Sequence, residues 1–281
     1  MKNNALIRQV ILGGVAVAAV TQDELAQRMV DDCAVNRDRA ARPLFLSSVN
    51  GNVLSRYHSD ESFKDLLDEA DILDADGMPL VMASRWLSPA PLPERVATTD
   101  FIHVAARYAV KAGLKFYFLG GYEHESEQAV ARTLERYPDL QIVGRRHGFF
   151  GEDEEEEICR DIVESGADVL WVGMGVPREQ DFIVRNRDHL VGVTWIKSCG
   201  GLFKFLAGIY PRAPEWMQNV GLEWVFRLVN EPKQFFWRYA TTSPHAMYLM
   251  IKHRALTKQG HVTGKTFDRP SLAATGTKDV S

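Results

Sequence analysis

Cysteine is scarce: three residues, Cys33, Cys159 and Cys199, are scattered through 281 positions without a C-x-x-C pair. An odd, dispersed count makes a poor disulfide framework, so the chain reads as reduced and cytosolic. No stretch reaches the ~20 apolar residues that a membrane-spanning helix requires. The sequence contains no G-x-G-x-x-G, no P-loop lysine motif, no G-x-S-x-G and no H-E-x-x-H. The usual dinucleotide fingerprint is therefore missing, and the corresponding NTPase and hydrolase classes are disfavoured. Net basic charge is also lacking. The formal charge is −4, which excludes a generally basic nucleic-acid binder.

That charge is uneven. Residues 227–258 carry six Lys/Arg and one acid, Glu231, while residues 1–226 carry −10. An acidic body with a basic end points to a partner at that end, and an anionic membrane surface is one candidate. The acidic run 151–157 reads as the first turn of a helix, where carboxylates complement the dipole, rather than as a metal site.

Apolar runs alternate with amphipathic segments. Val10–Leu12, Pro43–Ser48 with a polar turn at V-N-G-N after it, Lys115–Leu119, Leu140–Gly144, Val169–Val172 and Val191–Ile196 read as strands, and D-I-L-D-A-D-G-M-P reads as a short strand or turn ending at Asp76–Gly77. The Lys2, Arg8 and Val10–Val20 region imitates a signal peptide, but Thr21 and Glu24 form a capping box that favours a strand followed by a helix. Helices are expected over Ser59–Asp74, from Thr98 or Thr99, over Glu125–Tyr137 and over Arg178–Leu190, with a proline-rich loop at Leu87–Pro93. This spacing predicts an α/β fold, a mostly parallel sheet with helices on both faces, which the family resemblance given below implies is Rossmann-like. Ligands in such sheets sit beyond the carboxyl ends of the strands. Asn50, Asp76, Gly120, Gly121, Gly173, Gly175, Gly200 and Gly201 all follow expected strands. The glycine turns would let backbone amides approach an anion, and Arg212 and Arg227 would supply charge to a phosphorylated ligand.

From Pro232 a long helix to about Arg254 mixes aromatic and apolar residues with Lys and Arg. It suits either a helix lying in a membrane interface or one packed on the body or on a second copy of the chain. The expected organisation is an α/β domain over 1–226, which the resemblance given next implies is catalytic, a basic helical appendage over 227–258 and a disordered tail over 259–281.

Taken together in order, V-N-G-N, A-D-G-M-P-L-V, E-R-V-x-x-x-D, F-Y-F-L-G-G, V-G-M-G-V-P, C-G-G-L-F, R-A-P-E-W and L-E-W-V-F-R-L-V-N-E-P resemble the WecG/TagA/CpsF glycosyltransferases, family 26. The resemblance covers roughly residues 8–240. It implies an inverting transferase that moves a sugar from a UDP-sugar to an undecaprenyl-diphosphate-linked saccharide in surface or exopolysaccharide synthesis. It implies no required metal or other cofactor, and peripheral attachment to the inner face of the bacterial plasma membrane. By position, Asp76 matches the family's proposed base, Arg95 its active-site arginine, and Ser48 and Asn50 its T-x-N turn, with serine for threonine. The family's P-K-Q-E stands here as Pro177-Arg178-Glu179-Gln180, which exchanges the amide and the carboxylate, so either Glu179 or Gln180 is the ligand contact. Gln234 stands where an arginine is common. A non-catalytic nucleotide-sugar-binding scaffold of an export complex is the competing expectation. A nucleotide-dependent oxidoreductase is disfavoured by the missing fingerprint.

Overall fold

The computed structural model describes residues 7–36, 38–219 and 221–258. The expected tail, 259–281, lies outside the described residues, and Gln234 is described in its backbone only.

The chain opens with a hairpin, β1 (Gln9–Leu12) and β2 (Val15–Ala18). Gly13 and Gly14 connect them at φ 58° and 87°, the left-handed pair that a two-residue hairpin turn needs. The signal-like run is thus two strands where one was expected, and Val10, Leu12, Val15 and Val17 are buried in the main core. Thr21 caps α1 (Gln22–Val35) with the expected capping box to Glu24. Then follow β3 (Leu44–Val49), α2 (Gly51–Ser59), α3 (Glu61–Asp68), β4 (Ile72–Ala75), α4 (Met78–Leu87) and α5 (Thr98–Ala112). The central stretch holds β5 (Lys115–Gly120), α6 (Glu123–Arg136), β6 (Gln141–Arg146), α7 (Glu155–Glu164), β7 (Val169–Gly173), α8 (Arg178–Asn186) and β8 (Trp195–Ser198). Five helices close the described chain: α9 (Leu202–Leu206), α10 (Glu215–Asn219), α11 (Glu223–Asn230), α12 (Pro232–Lys252) and α13 (Arg254–Lys258).

Strands β3 to β8 form one parallel sheet in the order β4-β3-β8-β7-β5-β6. Successive side chains point to opposite faces, so each strand feeds two cores. Phe45, Leu119, Leu170 and Ile196 meet Phe63 of α3, Ile158 of α7 and Phe182 of α8 on one face. Leu46, Phe118, Trp171 and Trp195 meet Met29 of α1, Phe101 of α5 and Ala129 of α6 on the other. The expected α/β architecture with helices on both faces is present, and C-terminal helices follow it.

Right-handed crossovers explain this sorting. The chain leaves β5 into α6 on one face and leaves the adjacent β7 into α8 on the other. Adjacent strands whose connections diverge open a crevice at their carboxyl ends.

The long helix α12 divides its roles. Phe236 and Trp237 in its first half are exposed, whereas Ala246, Leu249 and Met250 in its second half are buried in the main core, against α2. Thr257 of α13 then donates to the carbonyl of Ile11 at 2.6 Å. The end of the 227–258 segment is therefore packed as part of the body.

Candidate active site

The strand ends at Val49, Ala75, Gly173 and Ser198 open on one cavity of about 670 Å³, within the range of small-molecule sites. Ser48, Asn50 and Asp76 line one part of it. Gly121, Gly173, Gly175, Gln180, Gly200 and Gly201 line its floor, and Arg227 and Arg238 reach it from α11 and α12. Thirteen residues were expected to form the site, and the fold brings ten of them together here.

Asp76 lies one residue beyond β4, and its N–H donates to the carbonyl of Val49 at 3.0 Å. Asn50 caps α2: its Oδ1 accepts from the amides of Asn52 and Val53 at 3.1 Å each. Its Nδ2 donates to Asp76 Oδ2 at 3.3 Å. The cap thus fixes the amide that aims the carboxylate. Burial works against the charge of Arg227, but Glu223 and then Asp76 more than offset it and hold its pKa above the usual value. Burial lowers that of Arg238, and Asp76 opposes the shift. One carboxylate and two guanidiniums therefore share this part of the cavity.

The glycine amides have another employer than the expected anion. Glu179 is buried, and its Oε2 accepts from Gly175 N–H at 3.0 Å and from Gly200 N–H at 2.9 Å. The carboxylate ties the turn after β7 to the turn after β8, so these two amides are not offered to a phosphate. Gln180 is equally buried and donates to Ser47 Oγ at 3.4 Å. Burial pushes the Glu179 carboxyl up to about 7, against the two glycine amides and Lys197. Its ordinary value is 4.5, so the folded protein binds more protons there between pH 4.5 and about 7. Stability from this group is accordingly lost as pH rises through that window. Glu179→Gln should flatten this slope, removing on the order of 2–3 kcal/mol of pH dependence. Urea unfolding at pH 5 and pH 7.5 measures it; an unchanged slope would show that Glu179 stays ionised throughout.

Glycine is needed here for different reasons. Gly175 and Gly200 have φ of 81° and 55°, which other residues resist. A Cβ on Gly173 would lie 2.8 Å from the Phe203 ring. Gly201 has an ordinary φ of −87°, and a Cβ there would meet nothing within 4 Å. The space beside Gly201 is therefore open.

Three expected site residues are placed elsewhere. Gly120 does not line the cavity; a Cβ there would lie 2.1 Å from the carbonyl oxygen of Gly173, so it serves the close approach of β5 and β7. Arg95 is 11% exposed and donates to Glu223 Oε2 at 2.8 Å and Asp100 Oδ2 at 3.0 Å. Arg212 pairs with Asp100 Oδ1 at 2.9 Å and with Gln218. Both arginines tie the 211–230 segment to the start of α5, outside the cavity lining. Glu223 also accepts from Arg227 at 2.7 Å, so this lattice sets the position of Arg227, the one of the three expected arginines that lines the cavity.

A buried polar cluster escaped the sequence reading. Lys197 of β8 is 1% exposed and donates to Asp74 Oδ2 at 2.6 Å and Ser48 Oγ at 2.7 Å. Ser48 Oγ lies 3.2 Å from Thr98 Oγ1. Burial raises the Asp74 carboxyl, and Lys197 opposes the shift. The available signal was a charge inside each of two apolar strands, I-L-D-A and W-I-K-S. Asp74 and Asp76 have the spacing of a metal-binding pair, but Asp74 is fully buried on Lys197 and does not line the cavity. Among the described residues, no group of three or more His, Cys, Asp or Glu side chains is arranged to hold a metal ion.

An α/β sheet with a cavity at its strand ends, lined by one aimed carboxylate and adjacent guanidiniums, has the layout of a group-transfer enzyme. The family model described as "Glycosyl transferase WecG/TagA/CpsF family" matches residues 10–260, and the chain belongs to that family. It is also similar to the N-acetylglucosaminyldiphosphoundecaprenol N-acetyl-beta-D-mannosaminyltransferase of Bacillus spizizenii. The identity is 26% over 225 residues, covering 80% of this chain and 85% of the relative.

Proposed function

We propose that the protein is an inverting hexosyltransferase that moves a sugar from a UDP-sugar to an undecaprenyl-diphosphate-linked saccharide, in the assembly of a surface or exopolysaccharide. The observation that carries this reading is Asp76, aimed by Asn50 into a cavity that Arg227 and Arg238 also line. Asp76 takes the proton of the acceptor hydroxyl as that oxygen attacks the sugar carbon. The bond from that carbon to the diphosphate breaks, and Arg227 and Arg238 stabilise the charge that develops on the leaving UDP. The Bacillus relative, by its name, acts on a diphosphoundecaprenol-linked sugar, which supports the acceptor class. Turnover of a panel of UDP-sugars with lipid-linked acceptors tests the reading. Transfer should persist in chelator, and loss of activity that added Mg²⁺ or Mn²⁺ restores would overturn the metal-free mechanism.

In this proposal residues 1–226 form the catalytic body, to which 227–258 add Arg227 and Arg238, and the exposed face of α12 meets the cytoplasmic leaflet. No helix among the described residues is long and apolar enough to cross a membrane. Phe236, Trp237, Met247, Tyr248 and Ile251 of α12 are exposed beside Lys233 and Lys252. Such a face can seat its apolar groups at the headgroup boundary, with about 1 kcal/mol from each basic residue near the surface. The protein should sediment with anionic liposomes at low salt and less at high salt. Replacing Phe236 and Trp237 together by Ser should release it. If the variant instead changes oligomeric state with liposome binding intact, a second copy of the chain covers this face.

A further inference from the structure

A row of charged side chains of alternating sign ends in the cavity. Arg212 pairs with Asp100 Oδ1 at 2.9 Å, and Asp100 Oδ2 accepts from Arg95 at 3.0 Å. Arg95 donates with its other terminal nitrogen to Glu223 Oε2 at 2.8 Å. Glu223 Oε1 then accepts from Arg227 at 2.7 Å. Of these side chains only Arg227 lines the cavity.

Glu223 is the link in this row. Its two oxygens are divided between two guanidiniums, and its side chain is 12% exposed. Burial works against its charge, but Arg227, Arg212 and Arg95 more than offset it and hold its carboxyl below the usual value. Glu223 and Arg227 lie one turn apart on α11, a spacing that brings them together on one face. Such a pair on its own holds a long side chain weakly. Here Arg95 anchors Glu223 from outside the helix, and Asp100 in the first turn of α5 anchors Arg95. The Arg227 guanidinium also sits over the Phe205 ring, 5.1 Å from its centroid. Its Nε is buried without a hydrogen-bond partner, so Glu223 is the acceptor that fixes the group.

We propose that Glu223 is a positioning residue: braced by Arg95, it holds Arg227 in place for the leaving diphosphate and acts on the reaction only through that arginine. This rests on the transferase reading above, in which Arg227 stabilises the diphosphate. Neither Glu223 nor Arg95 lines the cavity. An unrestrained arginine loses rotamer freedom when it engages an anion, whereas one already held has less to lose. Removing the carboxylate has two opposed effects on an anion in the cavity. It takes away a repelling charge, which favours binding, and it frees Arg227, which disfavours binding. The sign of the change therefore tells a positioning residue from a mere neighbouring charge.

A double-mutant cycle on the full chain tests this. Glu223→Gln offers one acceptor oxygen to two guanidiniums and should lower kcat with the lipid-linked acceptor on the order of ten-fold. It should weaken the binding of inorganic pyrophosphate, read by calorimetry, about five-fold. In an Arg227→Ala background Glu223→Gln should change neither quantity further, because nothing is left to position. That background should fold, since Glu223 stays paired with Arg95. If the glutamine variant does not fold, Glu223→Asp, which keeps the charge but is one methylene short, serves the same cycle. Equal losses in both backgrounds overturn the assignment and leave Glu223 a structural residue. Tighter pyrophosphate binding in Glu223→Gln also overturns it. Non-additive pyrophosphate binding in a protein that transfers no sugar would fell the transferase reading and leave Glu223 as the residue that sets Arg227.

Discussion

Asp76→Asn should lower turnover by about 10²–10⁴-fold, the usual effect of losing a general base, while the variant folds and binds UDP normally. The asparagine is isosteric and can still accept from Asn50 Nδ2, which reaches the wild-type Oδ2 at 3.3 Å. What it cannot do is take a proton from an incoming hydroxyl. The effect should fall on kcat, because the interaction is made in the transition state and not in donor binding. Matched measurements of turnover with the lipid-linked acceptor, UDP affinity and thermal midpoint decide the matter. Near-wild-type turnover would remove Asp76 from the chemistry. A parallel loss of UDP affinity would mean that the carboxylate instead orders Arg227 and Arg238, whose charges it influences.

The sheet was legible because parallel strands buried on both faces are continuous apolar runs, and β3, β5 and β7 match the expected strands within about a residue. Two helices were not legible. V-N-G-N read as a polar turn, but Asn50 is the cap and Gly51 the first residue of α2. D-I-L-D-A-D-G-M-P read as a short strand or turn ending at Asp76–Gly77; the strand is β4, but Gly77 is the N-cap of α4 and Pro79 stands in its first turn. Cap residues and turn residues are the same residue types, and only the following register separates them.

The site divides in the same way. Asp76, Asn50 and the glycine turns lie at strand ends, and parallel topology gathers strand ends wherever they occur in sequence. The partners of charged groups are not local. Glu179 read as a helix residue and, with Gln180, as one of two alternative ligand contacts, yet it accepts from an amide 21 residues away, at Gly200. Arg95 finds Glu223 across 128 residues. Arg212 and Arg227 were read as phosphate ligands from charge and Arg95 as an active-site arginine from the family resemblance, and only the fold distinguishes Arg227, which lines the cavity, from the two that tie the 211–230 segment to α5.

Lys197→Met should cost about 3–5 kcal/mol of stability, because it leaves the carboxylate of Asp74 buried without its countercharge. Lys197 and Asp74 are 1% and 0% exposed, so water cannot take over the lost contact. Asp74 Oδ1 already lacks a hydrogen-bond partner, which leaves the remaining charge less support still. The expected response is proton uptake by Asp74, whose carboxyl burial already raises. The single variant should therefore gain stability as pH falls toward the range where Asp74 is neutral, opposite to the usual acid destabilisation of a paired carboxylate. Adding Asp74→Asn should recover much of the loss, since a pair removed as a unit leaves no orphaned charge. Urea unfolding of the two single variants and the double variant closes the cycle and isolates the coupling. A cost below about 1 kcal/mol for Lys197→Met, the size of an exposed ion pair, would show that the cluster is hydrated. The same variants probe the site, because Lys197 also donates to Ser48 Oγ beside the cavity. If the lysine fixes that hydroxyl for substrate, the Asp74→Asn, Lys197→Met protein should regain stability without regaining full activity.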